Sequence, residues 1–397
     1  MLITADRVLV GSGKYLEDGA VLVESDSIAA VGPREQLTDQ AGPNATHLVF
    51  PGTVMPGLID AHVHLAFDGG TDPRAVFQGS SNETLLQDMR RRAEQLLLSG
   101  VTTARDLGDR DGFALRVAAE IADGRTPGPR IVSAGTPATP PGGHCYFLGG
   151  EVSGADEVRG LVRRNIAAGA TVIKVMATGG GLTKDGPRSW QSQFSPEELE
   201  ALVSEAHQAG VPVAAHAHGA DGIEASVTAG VDTIEHCTWM TADGFDLRPD
   251  VLARIVEQGI FVSPTVSPHW QMAARFFGEE RTEALFDGVR QMVKAGAKLV
   301  AGTDAGVGRA GFDGLTSALG FYAHLGLPNS RVIDMATIDA ADALGLGAVT
   351  GRIAPGFRAD LLLVDGDPLA DLGTLEAVRA VFAAGRRHEP REVTGHA

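Results

Sequence analysis

Cysteine is nearly absent: Cys145 and Cys237 are the only two among 397 residues. They do not resemble a disulfide framework and they fit a reducing compartment, so a cytoplasmic location is expected. Aromatic residues are also scarce, at 5%. Beside 51 glycines, that scarcity points to many tight turns in a folded chain and not to disorder. No stretch approaches the roughly 18 uninterrupted apolar residues of a membrane helix. The opening MLITADRVLV lacks a basic segment, an apolar core and a small-residue cleavage site, so no secretory leader is expected. Basic excess is missing as well. The net charge of −17 argues against nucleic acid or an anionic membrane as a partner. It says little about a small-molecule substrate, because a local pocket can carry either sign. Assembly into a homo-oligomer stays open.

Apolar residues, by contrast, reach 44%, ample for a large core. The first 50 or so residues read as short strands, ITADRVLV, AVLVES and SIAAVG, separated by Gly, Asp and Ser. The C-terminal ADLLLVDGD and AVRAVFAAGRRH read the same way. Two all-β ends predict one small β-sandwich domain built from residues 1–54 and 352–397. Residues 55–351 instead alternate short apolar runs with amphipathic helical stretches. The strand candidates are TVMPGLIDAHVH, VTTARDLG, RIVSAG, TVIKVMATGG, VPVAAHAHG, VDTIEHC, IFVSPTV and KLVAGTDAG. Several helices between them end in a glycine that suits a C-cap. SPEE at Ser195 to Glu198 predicts a helix start, with Ser as N-cap and Pro at the first helical position. Eight successive βα units predict an α/β fold of the (β/α)8 TIM-barrel type. A doubly wound sheet is the other arrangement such alternation permits.

In a barrel of this kind, chemistry gathers at the C-terminal ends of the strands. Those ends carry His62 and His64, Lys174, His216 and His218, His236, and Asp304. Five of the twelve histidines thus fall at three strand ends. His62 and His64 are two apart and face the same way on a strand, so they can share a metal. Nitrogen and carboxylate ligands suit zinc, with manganese, cobalt or iron as further candidates. Asp60 shares the face of His62 and His64. It is read either as orienting a ligand histidine or as a plain structural hydrogen-bonder.

Lys174, flanked by Ile173 and Val175, is costly inside a barrel unless its charge is dealt with. Three readings stand: a Schiff-base lysine, an ion-paired structural lysine, or a carbamate formed with CO2. The carbamate would turn a cation into a bidentate anion able to bridge two metals.

Together these residues resemble the amidohydrolase superfamily over almost the whole chain. The resemblance rests on PGLIDAHVH, the strand-4 lysine, the strand-5 and strand-6 histidines, GTDAG, and the closing LGLGAVTGRIAPGFRADLLLVDGDPL. GGHCYFLGG, IKVMATGG, VAAHAHG and IEHC are similar to its branch of zinc dipeptidases and N-acyl amino acid hydrolases. That branch includes prolidase-like, Xaa-Arg/Lys dipeptidase-like and ochratoxinase-like enzymes and carries a carboxylated lysine. The resemblance implies two divalent metals. His62, His64 and Asp304 would bind an alpha metal, and His216 and His236 a beta metal. The Lys174 carbamate and a hydroxide would bridge them. His216 is preferred to His218 because it lies 20 residues before His236, the spacing of the branch. His218 then touches substrate or a ligand. His144, in PGGHC, resembles a substrate-contacting histidine, with a solvent-facing loop histidine as the alternative. The implied chemistry is hydrolysis of an amide C–N bond in a dipeptide or N-acyl amino acid. Hydroxide attacks, Asp304 relays the proton, and His144 or His218 holds the oxyanion or a substrate carboxylate.

Two loops depart from the branch. GGGLTKDGPRSWQSQFS holds Lys184, Arg188 and Trp190, and SPTVSPHW holds His269 and Trp270. Either loop is a substrate-reading lid or a solvated connection. Three other functions compete with this one. A mononuclear deaminase or imidazolonepropionase-like enzyme usually places a carboxylate three residues after a strand-5 histidine, where this chain has Gly219. A non-catalytic scaffold would usually have lost ligands, and all six are present. Hydrolysis of a lactam, lactone, carbamate or organophosphate is compatible with the same site.

Overall fold

Three sheets organise the chain in a computed structural model that describes residues 1–390. Four N-terminal strands, β1 (Leu2–Gly11), β2 (Lys14–Glu24), β3 (Ser27–Pro33) and β4 (His47–Pro56), precede eight short parallel strands. These eight are β5 (Leu58–Val63), β6 (Val101–Asp106), β7 (Arg130–Ser133), β8 (Ile173–Met176), β9 (Val213–Gly219), β10 (Thr233–Met240), β11 (Phe261–Ser263) and β12 (Lys298–Leu299). Helices fill the intervals between them. Then come β13 (Leu361–Val364), β14 (Val378–Ala383) and β15 (Arg386–His388).

The two ends of the chain meet on β4, which pairs parallel with β1 and antiparallel with β13. The result is one seven-stranded sheet in the order β15-β14-β13-β4-β1-β2-β3. The expected β-sandwich of both termini is joined here by one hydrogen-bonded sheet, in which β4 carries a continuous ladder from one terminus to the other. Ile3, Val21, Val54, Leu361, Leu363 and Phe382 form its own apolar cluster. The first strand candidate also divides. TVMP closes β4, Gly57 turns the chain, and LIDAHV forms β5 in a different sheet. The Gly57 N–H donates to Asp360 O at 3.0 Å, tying this turn to the returning C-terminal segment.

The parallel strands fall into the sheets β5-β6-β7 and β8-β9-β10-β11-β12. Hydrogen bonds run between their edges. Ala138 N–H donates to Lys174 O at 2.8 Å, and Met176 N–H to Ala138 O at 2.9 Å. On the other side, Ala61 N–H reaches Ala301 O at 2.9 Å and Asp304 N–H reaches His62 O at 2.9 Å. Ile59, Val132, Ala214 and Val300, drawn from both sheets, share one buried cluster.

Helix punctuation follows local chemistry. Ser195 accepts from Glu198 N–H, the Glu198 side chain returns to the Ser195 N–H, and Pro196 opens the helix Pro196–Gln208. Gly230 and Gly259 close their helices in the left-handed conformation, where a side chain would be strained. Among the described residues no helix is long and apolar enough to cross a membrane.

Candidate metal centre

All but one of the candidate side chains at the strand ends line one cavity of about 980 Å³. His64, Lys174, His216, His218, His236 and Asp304 line it, and His144 and Cys145 join them from the loop after β7. His62 is buried beside them, its ring centroid 5.2 Å from that of His64. His62 Nε2 and His64 Nε2 are 3.3 Å apart. Asp304 Oδ1 stands 3.4 Å from the first and 3.5 Å from the second. Four-coordinate zinc holds nitrogens at about 2.0–2.1 Å, so neighbouring ligands lie roughly 3.3 Å apart. The three atoms are spaced as one ion would space them. Two further groupings have ligand atoms within 4.8 Å of one another: His216, His218 and His236, and His62, His236 and Asp304.

Each ring is turned by a hydrogen bond on its other nitrogen. His64 Nδ1 donates to Gly108 O at 3.2 Å. His236 Nδ1 donates to Thr265 Oγ1 at 2.6 Å, and His218 Nδ1 to Thr238 Oγ1 at 3.0 Å. His216 is reversed: its Nε2 donates to Gly179 O at 2.9 Å, which leaves Nδ1 for the cavity. His62 Nδ1 meets the carboxylate of Glu235 at 2.8 Å. Burial, and after it Lys174, holds the His64 imidazole down at about 4. Burial also pulls His62, His216 and His236 well below the ordinary histidine range. The rings are therefore neutral, the form that ligates.

Lys174 is 1% exposed, and its Nζ has no hydrogen-bond partner. Burial lowers its amine to about 8, so a neutral, nucleophilic form is accessible near neutrality. Burial pushes Asp304 up to about 6, against the pull of Lys174. Backbone strain gathers here too. His236 has φ 70°, Cys237 50°, Thr265 51° and Asp304 58°, conformations that cost L-residues energy and recur at functional sites.

The structure sorts the remaining candidates. His144 is not a solvent-facing loop residue. It is buried, stacks near His216 with centroids 4.6 Å apart, and its Nδ1 has no partner. Gln193 holds it there, accepting the His144 N–H at 2.6 Å while donating to Met176 O and Thr178 O. Gly180 makes room, because a Cβ there would lie 2.5 Å from the His144 ring. Lys184, His269 and Trp270 line the cavity, whereas Arg188 and Trp190 do not. Met272, Phe276 and Phe277 form an exposed apolar rim.

Asp60 does not touch an imidazole. Its oxygens accept His62 N–H at 3.2 Å, Thr303 N–H at 3.1 Å and Thr303 Oγ1–H at 2.6 Å, stitching β5 to the segment before Asp304. The residues that do orient His62 were missed in the sequence. Glu235 Oε1 accepts Arg105 Nη2–H at 2.7 Å and Thr233 Oγ1–H at 2.7 Å, while Arg105 also donates to Ala61 O. A signal was present, a carboxylate directly before His236. Strand alternation alone would send neighbours to opposite faces, which hides Glu235 behind His236 in the sequence.

The sequence profile described as "Amidohydrolase family" matches residues 53–387. The chain belongs to the amidohydrolase family. It is 30% identical to ochratoxinase of Aspergillus niger, an alignment covering 96% of this chain and 84% of that protein. A Xaa-Pro dipeptidase with bound methionine superposes with a TM-score of 0.82 at 28% identity, covering 98% of this chain and 99% of that one. A prolidase complexed with N-methylphosphonate-L-proline does so at 0.83 and 28% identity, covering 98% and 100%. These relatives put the chain in the prolidase- and ochratoxinase-like part of the family.

Proposed function

We propose that this amidohydrolase cleaves the amide bond of a dipeptide or an N-acyl amino acid at a two-metal centre. One observation carries the proposal: six ligand-type side chains from five strand ends converge on one cavity, around a buried lysine amine without a partner. His62, His64 and Asp304 would hold one ion, at the alpha position. His216 and His236 would hold the other, at the beta position, and Lys174, carboxylated by CO2, would serve both. The hydrogen bonds linking the edges of the two parallel sheets support closure into a (β/α)8 barrel. The terminal strands, within residues 1–54 and 352–390, form the accessory domain, and residues 55–351 the barrel domain; residues 391–397 of the expected accessory domain lie outside the described residues.

Two divalent ions, zinc first and otherwise manganese, cobalt or iron, would acidify water and polarise the scissile carbonyl. The protein's own residues do the rest. Asp304 accepts the proton of the attacking water and returns it to the leaving nitrogen. His144, neutral and with its Nδ1 unpaired, donates to the developing oxyanion or to a substrate carboxylate, while His218, whose Nδ1–H is given to Thr238, offers its bare Nε2 as an acceptor to a substrate N–H. The rim of Met272, Phe276 and Phe277 gives an apolar part of the substrate somewhere to rest. Ochratoxinase, the Xaa-Pro dipeptidase and the prolidase support an amide with an amino acid on its carboxyl side. The test is to load the protein with zinc in bicarbonate and offer it dipeptides and N-acyl amino acids, measuring released amino acid. Turnover with a preference for one C-terminal residue class is expected. Silence from protein that holds two metals would overturn the dipeptide assignment and turn attention to lactams, lactones and carbamates.

A further inference from the structure

The two halves of the centre are braced differently. On the alpha side, His62 donates through Nδ1 to Glu235, at 2.8 Å. Glu235 is completely buried and in turn receives Arg105 at 2.7 Å and Thr233 at 2.7 Å. Arg105, 2% exposed, also donates to Ala61 O at 2.7 Å, so the whole relay is anchored on three strands. On the beta side every acceptor is neutral: Gly179 O for His216 and Thr265 Oγ1 for His236. Thr265 Oγ1 itself donates to Pro264 O at 2.8 Å, which fixes it as the acceptor from His236.

A carboxylate behind an imidazole makes the opposite nitrogen a stronger donor and locks ring orientation; a carbonyl or hydroxyl does so less. The alpha side also has an anionic ligand of its own in Asp304, whereas the beta side has only neutral rings apart from the shared lysine. We propose that the Arg105–Glu235–His62 relay makes the alpha position the tighter of two unequal metal positions, and that the beta ion exchanges first. Arg105 and Glu235 are thus positioning residues that act through His62. The inference rests on the two-ion reading above.

The test is a graded chelator titration of the zinc-loaded protein, reading residual metal per chain. The wild type is expected to begin with two ions and lose them in two steps separated by about tenfold or more in chelator. Glu235→Gln should weaken the tighter class by about 10–100-fold and leave the looser class within about threefold. Thr265→Val should do the reverse. Glu235→Gln leaves the Arg105 charge buried and unpaired. Should it fail to fold, the double variant Arg105→Gln/Glu235→Gln removes both charges and carries the same expectation. Loss of both ions in one step from the wild type would overturn the inequality. A shift of the looser class by Glu235→Gln would overturn the assignment to alpha. A wild type that never holds more than one ion would overturn the two-ion centre, and this inference with it.

Discussion

The terminal sheet and the parallel strand ends are built on opposite terms. In the sheet, Ile3, Val21, Val54, Leu361, Leu363 and Phe382 pack apolar against apolar, and each buried side chain contributes roughly 1.5–3 kcal/mol. At the strand ends, imidazoles, a lysine and an aspartate are packed together out of water. Several lie on backbone with positive φ, and Lys174 Nζ lacks a partner. One region supplies stability and the other uses some of it. The contrast teaches that stability and activity should separate under mutation.

The sharpest way to probe that contrast is Asp304→Asn. It should lower kcat by about 10²–10⁴, the usual worth of a general acid–base group. The metal-free variant should melt no lower than the wild type, since burial already disfavours the Asp304 carboxylate. A loss of activity matched by unfolding would break the contrast. Leu361→Ala, at the heart of the terminal sheet, should cost about 2–5 kcal/mol in denaturant unfolding while leaving the kcat of the folded enzyme intact.

Thr265→Val sharpens the comparison within the site, because it removes the acceptor behind His236 and, besides that, only the hydroxyl's own bond to Pro264 O. Activity at limiting zinc should fall about tenfold and recover at saturating zinc. The smallest effect concerns a charge remote from both regions. Arg90 clasps Glu120 through two hydrogen bonds of 2.6 and 2.8 Å and holds its carboxyl down at about 2. A depressed carboxylate stabilises the fold above its unfolded value near 4.5, and that stabilisation is lost as pH falls toward 2. Glu120→Gln should therefore cost about 1 kcal/mol at pH 7, after allowance for the partly exposed Arg90, and almost nothing near pH 2. Equal loss at both pH values would show the effect to be packing.

Much of this was legible before folding was considered. The Ser195 cap, the glycine helix ends and the parallel strands follow from neighbours a few residues apart. The histidine pairs at 62 and 64 and at 216 and 218 stood out because period-two alternation puts both members on one face. Lys174 was conspicuous because a cation between Ile173 and Val175 has few stable fates.

Other features were decided only in three dimensions. Glu235 meets His62 across 173 residues and Arg105 across 130, and both contacts depend on how the strands are staggered. The His144 loop is drawn inside by Gln193, 49 residues away. Asp60, placed by alternation beside the ligands, gives its oxygens to backbone and threonine instead. The chain by itself determined which residue types stand at which strand ends, because capping and alternation are local. Tertiary structure decided which side chain braces which, because that depends on register between strands and on backbone bends at His236 and Asp304 that no local periodicity encodes.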